Sequence, residues 1–211
     1  MQMVGPMGRG AGVRSLVLMA VMVVLPLVVR AEVVETPYQV VQRVTDEVLK
    51  VVRSQGEQME ADPQAFNSAV NQVLEPVVAF DYIARGVMGN YAKEATPEQR
   101  QRFSEIFQAD LVSTYARGLA IYSSRPISVD PAAAADKDQR RVSVIQRVKT
   151  EAGEHVLAYT MGLDRGDNRW KLLNVVINGV NLGNTFRSQF AQSMQKNGDL
   201  DAVIRDWGHR G

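Results

Sequence analysis

The side chains able to move protons are few and widely spaced. Asp81, Asp110, Tyr115, His155 and Tyr159 are the groups an acid–base mechanism in a pocket would draw on, because such a mechanism needs carboxylate, imidazole or phenol groups whose surroundings tune their proton affinity. The second of the two histidines, His209, lies in the tail. The sequence has no nucleophile-elbow pattern, no metal-ligand cluster and no glycine-rich phosphate loop. It has no cysteine either, which removes disulfides, thiolate metal ligation and a lipid-modified cysteine together. No catalytic centre and no metal site are therefore expected. Arg141, Arg147 and Lys149 share the parity that places them on one face of a strand. There they could meet phosphate groups or an acidic partner surface, or form an ordinary solvated face.

The remaining chemistry is that of apolar burial, and it concentrates in residues 170–190. Strict alternation puts Trp170, Leu172 and Val176 on one side and Lys171, Leu173, Val175 and Ile177 on the other. Both faces are largely apolar. One can pack on a core, and the other needs a second apolar body, either protein or ligand. After Asn178-Gly179 the period changes, and Phe186, Phe190 and Met194 recur every four residues as on a helix face. A doubly apolar strand leading into such a helix suits the wall of an apolar cavity.

The elements that must position this strand follow from caps and periodicity. Thr36-Pro37-Tyr38-Gln39 reads as a reciprocal N-cap, followed by an apolar stripe through Val40, Val41, Val44, Val48, Val51 and Val52 to a stop at Gly56. Asp62-Pro63 starts a second helix, which Pro76 ends. A shorter helical piece covers 80–87. Thr96-Pro97-Glu98-Gln99 repeats the cap and opens the longest helix, to about Tyr122. Residues 139–149, 155–164 and 170–180 alternate as strands joined by short turns, with a short fourth strand at 127–129 and a loop at 132–135. Short connections imply an antiparallel meander. Helix returns over 182–196 and 199–207. Helices first, sheet later and helices last make an α+β fold. The long helices must then lie over one face of a sheet of about four strands.

With 211 residues, 45% hydrophobic and 22% charged, one globular domain is expected. Residues 1–31 read as a secretory signal peptide. Arg9 and Arg14 lead, an apolar run of 14 residues follows over 16–29, and cleavage falls near Ala31. That leader holds three basic and no acidic residues, so the body that remains is nearly neutral. This gives no reason to expect nucleic-acid binding.

The segments 80–89 (Phe-Asp-Tyr-Ile-Ala-Arg-Gly-Val-Met-Gly), 95–103 (Ala-Thr-Pro-Glu-Gln-Arg-Gln-Arg-Phe), Trp170-Lys171-Leu172, Gly179-Val180-Asn181-Leu182 and Phe186-Arg187-Ser188-Gln189-Phe190 come in an order that closely resembles the MlaC family. Those are periplasmic phospholipid-binding proteins, also called toluene-tolerance or ABC-transporter auxiliary proteins. The resemblance implies that 32–211 is a lipid-binding domain. It would be a curved antiparallel sheet in a nuclear-transport-factor-like cone with added helices, enclosing an apolar pocket. Phospholipid would be cargo, with no cofactor. The partners would be an outer-membrane lipoprotein–porin complex and an inner-membrane ABC transporter with an MCE-domain subunit. The chain would work in the periplasm as a monomer that maintains outer-membrane lipid asymmetry.

On this reading the lining comes from Val144, Leu157, Tyr159, Met161, Trp170, Leu172, Val175 and Ile177 on the sheet and from Leu111 and Tyr115 on the long helix. Arg141, Arg147 and Lys149 would contact head groups or a partner, and Arg187 would pair with an acidic group to anchor the last helices. The same residues could instead fill a solid core. Cone folds of this kind also host isomerases and dehydratases, so a pocket enzyme using the acid–base groups above is the alternative.

Overall fold

The computed structural model describes residues 35–55, 59–122, 124–131 and 139–209. The expected leader and its cleavage at Ala31, the stop at Gly56 and the loop at 132–135 lie outside them. The helix starts follow the local chemistry of the chain. At the head of α1 (Pro37–Gln55), the Thr36 N–H donates to Gln39 Oε1 at 2.8 Å and the Gln39 N–H donates to Thr36 Oγ1 at 3.2 Å. The same pair of bonds, at 2.9 and 3.2 Å, opens α5 (Pro97–Tyr122) between Thr96 and Gln99. Each satisfies two backbone donors that a helix start otherwise leaves unpaired. Asp62 caps α2 (Pro63–Leu74) by accepting the Ala65 N–H at 3.0 Å. Between them lie α3 (Phe80–Met88) and a four-residue α4 (Tyr91–Glu94), which is too short to show a period in sequence.

Five strands follow in chain order, each antiparallel to the last: β1 (Ile127–Val129), β2 (Arg141–Thr150), β3 (Gly153–Leu163), β4 (Trp170–Ile177) and β5 (Val180–Asn181). The fifth strand exceeds the expected four because the segment 170–180 does not run through. Asn178 and Gly179 take φ of 48° and 84°, the pair of positive values a two-residue hairpin turn requires. Val180 and Asn181 fold back onto Ile177 and Val176. The opposite end of the same edge of β4 is covered by residues 77–79, where the Leu172 N–H donates to Val77 O at 2.8 Å and the Ala79 N–H to Leu172 O at 3.0 Å.

Helix α6 (Leu182–Asn197) starts directly from β5, with Asn181 Oδ1 accepting the Asn184 N–H at 3.0 Å, and stops at Gly198 in the left-handed region. The helix expected over 199–207 is shorter. Helix α7 (Leu200–Arg205) ends at Asp206, and Trp207–His209 form a 3-10 turn.

The core divides into three clusters. Phe103, Phe107, Phe190 and Trp207 pack stacked, tilted and edge-on with centroids 5.0 to 6.2 Å apart, and with Val87, Met88, Val203 and Ile204 they tie α3, α5, α6 and α7 together. Val40, Val41 and Val77 meet Val142, Val144 and Met161 where the start of α1 crosses the sheet. Val48 and Val52 meet Phe66, Val70, Val112 and Ala116, joining α1, α2 and α5. The sheet curves over these helices, giving the α+β class expected.

Candidate functional site

The three clusters do not close on one another. A cavity of about 430 Å³ lies between α1 and the sheet. A second, of about 190 Å³, lies between α2, α3, α5, β4 and the start of α6. Both have walls made almost wholly of carbon, and they share Leu74, Val78, Tyr115 and Leu172. The larger falls within the size range of small-molecule sites.

Strand β4 shows why these are spaces rather than tight packing. All eight of its residues are half-buried, with none sealed and none open. Inward-facing side chains of a filled core lose all solvent access, whereas Leu172, Val175 and Ile177 keep theirs toward the cavities. A bulge brings these three to the same side. Thr160 pairs with Asn174 and Met161 with Leu172, leaving Leu173 with no opposite residue. The strict alternation read from sequence, with Leu172 opposite in face to Val175 and Ile177, is corrected by this one extra residue. Leu173 turns instead over Gly162, where an added Cβ would come within 2.5 Å of its Cδ1.

The structure distributes the candidate residues unevenly. Leu157, Tyr159, Met161 and Ile177 line the larger cavity, Leu111 and Val175 the smaller, and Tyr115 and Leu172 both. Val144 and Trp170 line neither. Val144 is fully buried where the first turns of α1 close onto β2, and Trp170, like Tyr38, packs against that same cluster. The strongest omission from the sequence reading is α1, whose Val40, Val41, Val44, Val48 and Leu49 form the wall facing the sheet. An apolar stripe reads the same whether it faces protein or empty space.

Arg141, Arg147 and Lys149 do share a face, but it is the one turned away from the cavities, since β2 buries Val142, Val144, Gln146 and Val148. Arg141 Nη2 donates to the Tyr82 hydroxyl at 2.9 Å, with its guanidinium carbon 5.9 Å from that ring's centroid. Arg147 donates to both Asp130 oxygens at 3.0 to 3.2 Å and to Glu154 at 2.8 Å. These hydrogen bonds, Asp130's first, push its pKa further up. Lys149 is exposed, opposite Glu154 in register. The Arg187 guanidinium lies against Gly89, and the acidic pair expected for it is not seen among the described residues.

Of the acid–base groups, Tyr115, His155 and Tyr159 reach the cavities. Asp81 instead accepts a hydrogen bond from Ser104 Oγ at 2.6 Å, between α3 and α5, and Asp110 lines neither cavity. Inside the larger cavity Thr45, Gln146 and Tyr159 form one polar chain, while His155 Nδ1 meets Asn178 Nδ2 at 2.8 Å. Tyr159 OH donates to Gln146 Oε1 at 2.8 Å, Gln146 Nε2 donates to Thr45 Oγ1 at 2.7 Å, and Thr45 Oγ1 donates to Val41 O at 2.8 Å. Burial pushes the Tyr159 phenol well above the ordinary tyrosine range, so it stays a neutral donor. Gln146 and Thr45 were not singled out from sequence, although a glutamine in the apolar phase of Val142-x-Val144-x-Gln146-x-Val148 was the available signal. Among the described residues no group of His, Cys, Asp and Glu is arranged to hold a metal ion.

Similar architecture and sequence occur in known proteins. The profile of the MlaC protein family matches residues 42–209. The toluene tolerance protein ttg2D of Pseudomonas putida is 42% identical over 176 residues, covering 82% of this chain and 80% of that protein. The intermembrane phospholipid transport system binding protein MlaC of Haemophilus influenzae is 25% identical over 182 residues, 84% of each. A phospholipid-binding protein from Ralstonia solanacearum, solved in complex with a phospholipid, superposes with a TM-score of 0.70 at 26% identity. The match covers 79% of this chain and 91% of that one. The profile takes in α1 from residue 42, the bulged strand and the last helices together, and on that extent the chain belongs to the MlaC family.

Proposed function

We propose that this chain is a phospholipid carrier that holds acyl chains in the two adjoining cavities and leaves the head group outside. The observation that carries the reading is the carbon-lined space beneath β4, in a chain related to proteins named for binding and transporting phospholipid. Two acyl chains present roughly thirty methylenes, each worth about 0.8 kcal/mol when removed from water. An apolar cavity therefore outcompetes water without any specific polar contact. It does not outcompete a bilayer by that margin, because the bilayer also keeps the chains dry. Loading and release then depend on partners that bind one state of the carrier better than the other.

The partners proposed are an outer-membrane lipoprotein–porin complex and an inner-membrane ABC transporter with an MCE-domain subunit. The mature chain, cut near Ala31, would move between them as a monomer in the periplasm and maintain outer-membrane lipid asymmetry. The isomerase or dehydratase alternative draws less support. Its carboxylates, Asp81 and Asp110, stand off the cavities, and the Tyr159 proton is committed to Gln146.

Leu172 touches both cavities and Ile177 the larger. Leu172→Glu and Ile177→Glu are expected to lower co-purified phospholipid severalfold while circular dichroism stays that of the folded chain. Val180→Glu, at a residue 55% exposed, serves as the matched control. Unchanged lipid per folded molecule in both cavity variants sinks this lining.

A further inference from the structure

The polar chain in the larger cavity has a proton left over. Thr45 Oγ1 gives its hydrogen to Val41 O, so toward Gln146 it can act only as acceptor. That fixes the amide of Gln146, with nitrogen toward Thr45 and oxygen toward Tyr159, and Tyr159 OH must be the donor in its bond. Every hydrogen of the three side chains is then assigned except the second N–H of Gln146, which has no partner among the described residues. Gln146 is 4% exposed and lines the cavity. A buried donor left unmatched is costly, and the group that matches it gains by the difference.

The required partner is a neutral acceptor. A phosphate oxygen carries charge into a wall that offers no arginine or lysine among the described residues, and stripping its hydration there is expensive. The ester carbonyl differs, being uncharged and bonded directly to the acyl chain, so it follows the chain into an apolar space. Gln146 also sits part-way along the wall, with Val148 and His155 on one side and Met161 on the other, where a carbonyl at the head of a chain can reach it.

We infer that Gln146 donates its second amide proton to an ester carbonyl of the bound phospholipid and so sets the depth at which the glycerol backbone seats. This rests on the carrier reading and adds a chemical preference to it: diester glycerolipids over those whose chains are joined by ethers, which lack that oxygen. Thr45 and Tyr159 are positioning residues, holding the amide with its nitrogen toward Thr45 and its oxygen toward Tyr159.

The test offers the full mature chain vesicles with equal mole fractions of diacyl and dialkyl phosphatidylcholine of matched chain length. Native mass spectrometry then reads the ratio bound. The wild-type chain is expected to favour the diester about threefold to tenfold, the range of one net hydrogen bond. Gln146→Met and Gln146→Leu should carry both lipids with no preference. Tyr159→Phe and Thr45→Val, which each free the amide to turn, should weaken the preference, whereas a purely structural clip would move only stability. Equal uptake of diester and diether by the wild-type chain overturns the inference and leaves the carrier reading standing. Uptake of neither lipid overturns both.

Discussion

A phenol that gives its proton to Gln146 and is shielded from bulk water holds that proton tightly, and the consequence for stability has a definite sign. The folded-state pKa of Tyr159 is raised above that of the unfolded chain. The stabilisation it supplies is therefore complete below about pH 10, the ordinary tyrosine value, and is lost as pH rises from there toward the folded value. Tyr159→Phe is expected to cost about 1 kcal/mol at neutral pH, the worth of the hydrogen bond. The same change should flatten the decline above pH 10. Urea melts across pH 8 to 11 check this, and an alkaline limb as steep as that of the wild-type chain would refute it. Tyr159 was legible as a lining residue because its parity matches that of Leu157 and Met161. Its partners were not, since Thr45 lies 101 residues from Gln146 along the chain and no local pattern joins them.

At the scale of elements, what was legible is what is local. Both Thr-Pro-x-Gln starts form the bonds their spacing dictates, and so does the Asp62 cap, because each uses atoms three residues apart. Thr96→Ala removes one such bond at the head of the longest helix and should cost about 1 kcal/mol. A fall in melting temperature with unchanged lipid content is the expected result. The bulge was not legible, because the residue left over depends on how β3 pairs with β4, and periodicity describes one strand at a time. Its effect is nonetheless decisive for the site. Without Leu173 as the extra residue, Leu172 would face the cavities and Val175 and Ile177 would not. The two positive-φ residues Asn178 and Gly179 ended the strand earlier than its apolar run suggested, since an Asn-Gly pair outweighs strand propensity where a hairpin can form.

Across the whole molecule, core and cavities share walls: Phe107 of the aromatic cluster borders the smaller cavity and Val40, Val41 and Met161 the larger, whereas Trp207 lines neither. The aromatic cluster around Trp207 holds α3, α5, α6 and α7 together, with Trp207 2% exposed. Trp207→Ala should cost about 3 to 5 kcal/mol, as buried aromatic truncations do. Leu172→Ala removes a side chain that borders open space, so it should cost less than Trp207→Ala when denaturant melts of the two are compared. The α+β class and the order of helices and strands follow from caps, turns and periodicity. Whether the helices fill the concave face could not follow from them, because a stripe such as Val40 to Val48 is apolar in either case. The half-burial of β4 distinguishes the two, and it needs the folded chain. The central claim, that the space between the three clusters exists to hold acyl chains, is tested most directly by native mass spectrometry of the mature protein purified from an exporting host, with lipid extraction alongside. The account predicts a stoichiometric phospholipid adduct whose mass reports the number of chains carried. A bare protein that also takes no phospholipid from vesicles would contradict it.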